Sequence, residues 1–373
     1  MPAVTPIRMP KWGLSMQEGT IVEWWRPEGA AVAEGDELVD IETAKITNAC
    51  ESPATGTLRR IVAQPGQVLP VGALIGVMAE AEVADAEVDA FIAEFQSNFT
   101  PEAEDGEEAQ VLSLSTVEVD GRSLRVGRAG PATGVPVVLI HGFAGDINNW
   151  LFNIDAVSAI APLIAVDLPG HGGSSKDVGD GSLETLADSI GGALAALGVT
   201  RAHFVGHSLG AAVAARLAVD HPPLVASLTL IAPAGLSASP VSEEFLTGVI
   251  DAQRTRDLKP VLEMLVADPD LVTKAMVEDL IKFKRLDGVE DALAVLRDRL
   301  VSGEDGAELR ADLARIPSAL VIASRADRIV GPPDEAALPS GFRVVWIDNA
   351  GHMPHLEQAG LVNSLLTEAI VGG

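Results

Sequence analysis

The stretch "AHFVGHSLGAAVAARLAV", residues 202–219, places a serine between two glycines where an apolar strand pattern gives way to a helical one. Its pentapeptide "GHSLG" fits Gly-x-Ser-x-Gly, a sharp strand-to-helix turn that exposes a serine hydroxyl. The small residues Gly206 and Gly210 let strand and helix approach closely. At a helix amino terminus, backbone N–H groups stabilise a developing negative charge. We therefore predict that Ser208 is a nucleophile for acyl groups.

Two later segments supply the acid and the base that such a serine needs. "ASRADRIV" puts Asp327 just beyond a predicted strand, and "NAGHMPHLE" puts His352 just beyond the next one. The chain order serine, acid, histidine accompanies this kind of turn. We expect Asp327 to orient the imidazole of His352, which takes the proton of Ser208. His355 is a rival base, but we expect it at the start of the final helix.

The segment "HGF" follows the third predicted strand of this region. We predict that the backbone N–H groups of Phe143 and Leu209 together form an oxyanion hole. Two further histidines lie in the same motifs. His207 is expected to point away from the reacting atoms, and His171, in "PGHGGS", is interpreted as a structural loop residue.

From about residue 111 onward, buried apolar strands alternate with helical segments. This alternation predicts a mostly parallel sheet with helices on both faces. Residues 236–310 are helical and interrupt the alternation, so we predict a helical cap over the carboxyl edge of the sheet.

The beginning of the chain contains an internal repeat. Residues 18–41 and 55–78 align without a gap at an offset of 37. The matched pairs include Gly19/Gly56, Thr20/Thr57, Gly29/Gly66 and Gly35/Gly72. Short apolar runs between "PEG" or "PG" turns are typical of β-strands. We predict a small all-β domain, a flattened barrel whose two halves cover each other's apolar faces.

The two halves of the repeat are joined by residues 42–54, which we predict to form a hairpin at one end of this domain. Its segment "IETAKITN" carries a lysine, Lys45, near the tip. A surface lysine on a turn usually has no special role. The repeat symmetry, however, places Lys45 at the most exposed point of the domain.

Residues 1–79 resemble a lipoyl domain, the family whose hairpin lysine carries lipoate in amide linkage. "IETAKIT" is similar to the family's Glu-Thr-Asp-Lys-Ala tip, with Ala44 where an acidic residue is usual. The resemblance implies lipoate on Lys45 and recognition of Glu42 by the lipoylating enzyme. Biotinyl domains carry methionine on both sides of the lysine, and this chain does not. A biotinyl domain and an unmodified lysine remain as alternatives.

Residues 111–373 resemble the α/β-hydrolase family, and the whole chain resembles the dihydrolipoamide acetyltransferase subunits of acetoin dehydrogenase complexes. This resemblance implies acetyl transfer from the lipoyl group to coenzyme A. It also implies two partners, a thiamine-diphosphate-dependent acetoin-cleaving component and a dihydrolipoamide dehydrogenase component. A serine esterase or thioesterase tethered to a complex by its lipoyl domain is the alternative, and a non-catalytic scaffold is a third interpretation.

Residues 80–110 separate the two predicted domains. Val83, Val88, Phe91 and Phe95 recur at helical spacing, which predicts a short amphipathic helix. The sequence does not decide where this helix docks. The acidic residues that follow are interpreted as a linker.

A net charge of −27 opposes binding to nucleic acid or anionic lipid. Coenzyme A is itself anionic, so binding it requires a local cluster of basic side chains. "RTRDLK" and "KFKR" both lie in the predicted cap. We predict that Lys282, Lys284 and Arg285 contact its phosphates. The alternative is that these side chains only balance nearby acidic residues on solvated helix faces.

The remaining features argue for a cytoplasmic protein. No run of about 20 apolar residues could span a bilayer, and the start of the chain lacks the apolar core of a signal peptide. The single cysteine, Cys50, cannot form an internal disulfide, and no segment has the ligand spacing of a zinc site.

Overall fold

The computed structural model describes residues 4–10, 18–33, 35–42, 47–80, 83–99, 112–237 and 239–372. The chain divides into two compact units, residues 1–111 and 112–373. Within the described ranges, none of the helices combines the length and the apolar character needed to cross a bilayer.

The first unit contains two four-stranded antiparallel sheets. Its strands are β1 (Val4–Arg8), β2 (Glu18–Trp24), β3 (Ala31–Val32), β4 (Glu37–Glu42), β5 (Thr47–Glu51), β6 (Gly56–Ile61), β7 (Val68–Pro70) and β8 (Leu74–Ala79). One sheet has the order β1-β8-β6-β3, and the other has the order β5-β4-β2-β7. Exchanging β1 with β5, β2 with β6, β3 with β7 and β4 with β8 converts one order into the other. The predicted twofold arrangement of the all-β unit is therefore confirmed.

The repeated glycines explain why the two halves share one backbone path. Gly29 and Gly66 both have φ of 85°, and Gly35 and Gly72 have φ of 85° and 81°. This left-handed region is open to glycine at little cost, whereas other residues are strained there. Between the two sheets, buried apolar side chains from both halves form the core of the unit.

A helix, α1 (Asp85–Asn98), packs on the first unit. Val88 is fully buried in a cluster that includes Val77 of β8. Arg59 of β6 contacts Asp85 at 2.7 Å, and the Arg8 guanidinium lies 5.0 Å from the centroid of the Phe95 ring. The predicted amphipathic helix thus buries its apolar face against the all-β unit.

The second unit is built on one eight-stranded sheet with the order β16-β15-β14-β13-β11-β12-β10-β9. Its strands are β9 (Ser113–Val119), β10 (Arg122–Ala129), β11 (Val137–Ile140), β12 (Leu163–Val166), β13 (Ala202–His207), β14 (Val225–Ile231), β15 (Ala319–Ser324) and β16 (Phe342–Ile347). Neighbouring strands from β12 to β16 run parallel, whereas β9 and β10 are antiparallel additions at one edge. The mostly parallel sheet is therefore confirmed.

Helices cover this sheet, and β11, β12, β13 and β15 are buried at every residue. Outside the cap the helices are α2 (Ile154–Ser158), α3 (Leu183–Ala196), α4 (Leu209–Asp220), α10 (Pro354–Glu357) and α11 (Ala359–Val371). Helix α3 packs against α4, and α11 packs against α2. Strands that are buried on both faces read as continuous apolar runs, which is how they appear in the sequence.

The insertion between β14 and β15 is helical, as predicted for residues 236–310. It consists of α5 (Glu243–Asp251), α6 (Thr255–Leu262), α7 (Lys274–Lys284), α8 (Val289–Ser302) and α9 (Glu304–Asp312), with short 3-10 turns between them. We refer to this insertion as the cap.

Candidate active site

Ser208 lies at the junction between β13 and α4, where the chain turns sharply. Its backbone has φ of 54° and ψ of −116°, a conformation that non-glycine residues rarely adopt. Such strain persists only where the surrounding structure enforces it, and it concentrates at functional sites. Here the Ser208 N–H donates to the Ile231 carbonyl at 2.9 Å, and the Ser208 carbonyl accepts from Ala234 at 3.2 Å.

The glycines on either side of the turn are required by close backbone contacts. A Cβ atom at Gly206 would overlap the carbonyl oxygen of Gly210. A Cβ atom at Gly210 would overlap the carbonyl oxygens of Ile140 and His141. Strand and helix thus approach as closely as the sequence motif implies.

The structure brings the predicted acid and base together. The Nδ1–H of His352 donates to Oδ2 of Asp327 at 2.8 Å, and both side chains are almost entirely buried. The other carboxylate oxygen accepts the N–H groups of Ile329 at 2.8 Å and Val330 at 3.1 Å. These two bonds to Oδ1 hold the Asp327 carboxylate in place, and the carboxylate in turn fixes the orientation of the His352 imidazole. Because Nδ1 carries the proton, Nε2 is the nitrogen of His352 that can act as a base.

His207 connects the nucleophile turn to the base. Its ring Nε2–H donates to the carbonyl oxygen of His352 at 2.8 Å, and the two ring centroids are 4.8 Å apart. Burial, together with the neighbouring imidazoles of His355 and His352, lowers the pKa of His207 well below its ordinary value. His207 is therefore a neutral hydrogen-bond donor. Because it precedes Ser208 in the chain, its bond joins the nucleophile turn to the backbone of His352.

His355 does not reach the acid. It lies in the short helix α10, just before the final helix α11 and not at the start of that helix as predicted. Its ring packs 4.8 Å from that of Trp150 and 4.4 Å from that of His207. Neither ring nitrogen has a hydrogen-bond partner within the described part of the chain. Burial lowers the pKa of His355 to about 3. An imidazole that resists protonation and lacks an orienting carboxylate is a poor general base.

The residues predicted to form the oxyanion hole flank Ser208 in the fold. Leu209 is the first residue of α4, where backbone N–H groups have no partner within the helix. Phe143 follows β11, and the next residue, Ala144, has a strained φ of 57°. A Cβ atom at Gly142 would lie 3.0 Å from the Cβ of Ser208, so the loop that carries Phe143 passes directly beside the nucleophile.

His171, predicted to be a structural loop residue, is fully buried. Its ring Nδ1 is 3.0 Å from the carbonyl oxygen of Pro169, and burial lowers its pKa to about 3. It packs edge-on against Phe143, with ring centroids 6.2 Å apart. His171 thus supports the loop that carries one of the proposed oxyanion donors.

The cap is hydrogen bonded to the loop that carries His352, a feature that the sequence analysis missed. The N–H of His352 donates to the carbonyl oxygen of Leu265 at 2.7 Å. Glu357 joins the same segments, because one carboxylate oxygen accepts from Gly351 and the other from Ala267, each at 2.7 Å. The only sequence signal was an acidic residue shortly after the histidine.

A third connection from the cap reaches the loop that carries the acid. Arg328, next to Asp327, donates to the carbonyl oxygens of Glu263 and Val266. The cap segment 263–267 is therefore bound to both loops that present the acid–base pair.

Lys284 corrects one prediction about coenzyme A. Its side chain is only 3% exposed, and its ammonium group donates to the carbonyl oxygens of Ile250 and Ala252. Burial lowers its pKa. This lysine joins α7 to the end of α5, so it is not available to bind a phosphate.

The other two predicted phosphate contacts, Lys282 and Arg285, are exposed. Lys282 forms an ion pair with Asp279 at 3.0 Å. The second basic cluster is balanced in the same way, since Arg254 contacts Asp257 at 2.6 Å. These contacts favour the alternative interpretation, in which the clusters are solvated helix faces.

For the predicted lipoyl site in the first unit, the structure describes only the residues on either side of the segment that contains Lys45. Residues 43–46, which include Lys45, lie outside the described residues. Glu42 is exposed and pairs with Thr47 across the antiparallel strands β4 and β5. Four residues separate these two paired positions in the sequence, and Lys45 is one of them.

Comparison with known proteins agrees with this division of the chain. Residues 5–78 match the family model described as biotin-requiring enzyme, and residues 137–365 match the alpha/beta hydrolase family. A relative from Cupriavidus necator H16 is 42% identical over all of this chain and 98% of its own length, and one from Pseudomonas putida is 43% identical over 97% of each chain. Both are named dihydrolipoyllysine-residue acetyltransferase component of acetoin cleaving system. This chain belongs to that acetyltransferase family.

Solved structures similar to this acetyltransferase family member support the fold of its second unit. A meta-cleavage product hydrolase from Pseudomonas fluorescens IP01 superposes with a TM-score of 0.63 at 22% identity, covering 69% of this chain and 97% of that one. A lipase-like protein from Acinetobacter baumannii AYE gives the same TM-score at 21% identity, covering 79% and 100%. At this identity the likeness establishes the α/β-hydrolase fold alone.

Proposed function

We propose that this chain transfers an acetyl group from a thioester on lipoyl-Lys45 to coenzyme A through Ser208, His352 and Asp327. The observation that carries the proposal is the 2.8 Å contact between Asp327 and His352 beside a strained serine turn. It occurs in a chain that also has a unit of the biotin/lipoyl family.

The first step is acylation of the serine. Ser208 Oγ attacks the thioester carbonyl carbon while Nε2 of His352 takes the hydroxyl proton. The carbon–sulfur bond then breaks, and His352 returns the proton to the leaving sulfur. Asp327 stabilises the imidazolium that forms between these transfers.

The second step reverses the first with a different thiol. The coenzyme A thiol gives its proton to His352, and its sulfur attacks the carbonyl carbon of the acyl-serine. The carbon–oxygen bond breaks, and the proton returns to Ser208 Oγ. In both steps the N–H groups of Phe143 and Leu209 are proposed to stabilise the negative charge on the carbonyl oxygen.

Lipoate on Lys45 would supply the thiol that carries the acetyl group. The fit rests on the antiparallel pairing of Glu42 with Thr47, the two residues that flank the segment containing Lys45. Lys45 is proposed to be the residue that the lipoylating enzyme modifies, and Glu42, which is exposed at the end of β4, is proposed to aid recognition by that enzyme.

The relatives are named components of an acetoin cleaving system. We propose the same setting for this chain, with a thiamine-diphosphate-dependent acetoin-cleaving component and a dihydrolipoamide dehydrogenase component as partners. We further propose that the complex operates in the cytoplasm.

The experiment that tests the proposed activity offers acetyl-dihydrolipoamide to the full chain, with and without coenzyme A. We expect acetyl-coenzyme A to form in step with loss of the thioester, and little release of acetate. Acetate as the main product, at a rate unchanged by coenzyme A, would instead identify a thioesterase.

A further inference from the structure

A cavity of about 400 Å³ lies beside the nucleophile turn. It is lined by Leu209 and Ala212 of α4, by the loop after β14 and by the cap helices α8 and α9. Its volume is in the range of small-molecule sites, about 300–1,000 Å³. An acetyl group has three heavy atoms, and a water molecule occupies about 30 Å³ in the liquid. The cavity is therefore several times larger than the transferred group.

The cavity is close to the nucleophile but separate from the acid–base pair. Leu209 follows Ser208 in the chain, and the N–H of Ala234, another lining residue, donates to the Ser208 carbonyl. Neither Asp327 nor His352 is part of its wall. This position suits a part of the substrate that extends away from the reacting atoms.

Two arginines of the cap line the cavity, and they differ in their partners. Arg299 forms an ion pair with Asp305, which also lines the cavity. Arg310 donates through Nη1 to the carbonyl oxygens of Gly235 and Ser237, each at 2.8 Å. Within the described ranges no carboxylate pairs with Arg310, and its Nε and Nη2 are not sealed inside the protein. Among the described residues these two nitrogens have no hydrogen-bond partner, so their N–H groups can bind a ligand.

We infer that this cavity binds the thiol-bearing arm of the acyl acceptor and that Arg310 donates a hydrogen bond to an oxygen of that arm. The inference rests on the proposed function. The thiol-bearing arm of coenzyme A is a long, thin chain with amide carbonyl oxygens along it, and its far end carries phosphates that free pantetheine lacks. A guanidinium group with free N–H groups suits either kind of oxygen.

The test compares the full-length protein with Arg310→Lys and Arg310→Met. Calorimetry without an acetyl donor gives Kd for coenzyme A and for pantetheine, and transfer assays give KM. Loss of one hydrogen bond to a charged group weakens binding by roughly ten- to a hundredfold. We expect this increase in Kd and KM for coenzyme A in Arg310→Met, with a smaller one in Arg310→Lys. An equal effect on pantetheine identifies an amide carbonyl as the acceptor, and an effect on coenzyme A alone identifies a phosphate.

Two further variants separate ligand binding from structural damage. Val301→Trp narrows the cavity from α8 and leaves the Arg310 side chain in the sequence. It should weaken binding of coenzyme A while sparing transfer to N-acetylcysteamine, a short thiol. Arg299→Met combined with Asp305→Asn removes two charges that already neutralise each other, so its effect on Kd should be smaller than that of Arg310→Met.

The outcomes also distinguish this inference from the proposed function. If the wild-type protein transfers acetyl groups to coenzyme A and the Arg310 and Val301 variants bind it normally, the cavity assignment is wrong and the function stands. Equal loss of activity towards coenzyme A and N-acetylcysteamine would assign Arg310 a structural role. If the wild-type protein does not transfer to coenzyme A, the proposed function itself fails.

Discussion

Ser208 combines a reactive position with a strained backbone. A positive φ at a non-glycine residue costs about 1–3 kcal/mol, and the turn maintains it through hydrogen bonds to Ile231 and Ala234. In a strand-to-helix turn of this kind, the strained backbone exposes the serine hydroxyl beyond the end of the strand. A nucleophile fixed in this way needs little reorganisation before attack.

The first prediction is that Ser208→Ala lowers acetyl transfer by on the order of 10⁴, the scale seen when a triad nucleophile is removed. Alanine keeps the Cβ atom, so the turn should fold unchanged. Initial rates with acetyl-dihydrolipoamide and coenzyme A provide the measurement. Ser364→Ala, at an exposed hydroxyl of α11, serves as the control and should keep full activity. A Ser208→Ala variant with near-normal turnover would favour direct exchange between the two thiols.

Buried histidines give a second prediction at this scale, which concerns stability. The pKa of both His171 and His355 is lowered to about 3 by burial, against about 6.5 in an unfolded chain. Below pH 6.5 these two histidines therefore bind protons in the unfolded state but stay neutral in the folded state. The free energy of unfolding should fall as the pH is lowered from 6.5 to 5, by up to about 1.4 kcal/mol per pH unit for each histidine.

Denaturant unfolding at several pH values between 7 and 5 measures this slope. His355→Gln removes one of the buried histidines, so its slope should be shallower than that of the wild type by up to about 1.4 kcal/mol per pH unit. The comparison of slopes is independent of any constant loss of stability in the variant. Identical slopes in both proteins would show that His355 accepts protons in the folded state.

At the scale of single elements, the cap segment 263–267 and α10 act on the site through His352. The carbonyl of Leu265 accepts from the His352 N–H, while Glu357 bridges Gly351 and Ala267. Asp327 thus holds the imidazole itself, whereas Glu357 joins the backbone of the His352 loop to the cap. We identify Glu357 as a positioning residue.

The third prediction is that Glu357→Ala lowers kcat about tenfold or more and leaves KM for the acetyl donor nearly unchanged, because the base is misplaced whereas the binding surface remains. Glu357→Gln keeps one acceptor oxygen and should recover part of kcat. Steady-state kinetics and thermal unfolding should be measured together. Glu368→Gln, in an exposed ion pair on α11, is the matched control. If kcat falls only in proportion to the folded fraction, Glu357 has no role beyond stability.

The elements themselves could be predicted from sequence where the information is local. The serine turn is encoded in five residues, and apolar runs mark the strands that are buried on both faces. The partners of Glu357 and Lys284 could not be predicted in this way. Each contact joins segments that are distant in sequence, or depends on which face of a cap helix is buried. Lys284 was therefore assigned to a basic cluster, although its ammonium group binds the carbonyls that end α5.

At the scale of the whole molecule, the repeat predicted the symmetry of the first unit because its paired glycines encode the same turns twice. The docking of α1 was left open by the sequence. The apolar stripe of α1 could pack on any apolar surface, so its sequence does not identify the partner. The fold shows that this surface includes β8, and that Arg59 of β6 pairs with Asp85 of the helix. The assignment of a carrier unit and a catalytic unit to one chain followed from motifs, each specific to its own fold.

The last prediction separates the roles of the two units. We expect peptide mass spectrometry of protein from lipoate-supplied cells to find one lipoyl group on Lys45. Lys45→Arg should abolish this modification and stop acetyl-coenzyme A formation by the reconstituted complex. Transfer from free acetyl-dihydrolipoamide should remain, because Ser208 and His352 are unchanged.

Covalent attachment explains why the two assays should differ. An arm on the same chain meets the serine site at an effective concentration in the millimolar range, without diffusing from solution. Lys282→Arg, at an exposed cap lysine that keeps its charge, provides the control and should behave as wild type in both assays. Loss of both activities in Lys45→Arg would show that the all-β unit supports the catalytic unit directly. Normal activity of the complex without the lysine would place the carrier on another chain.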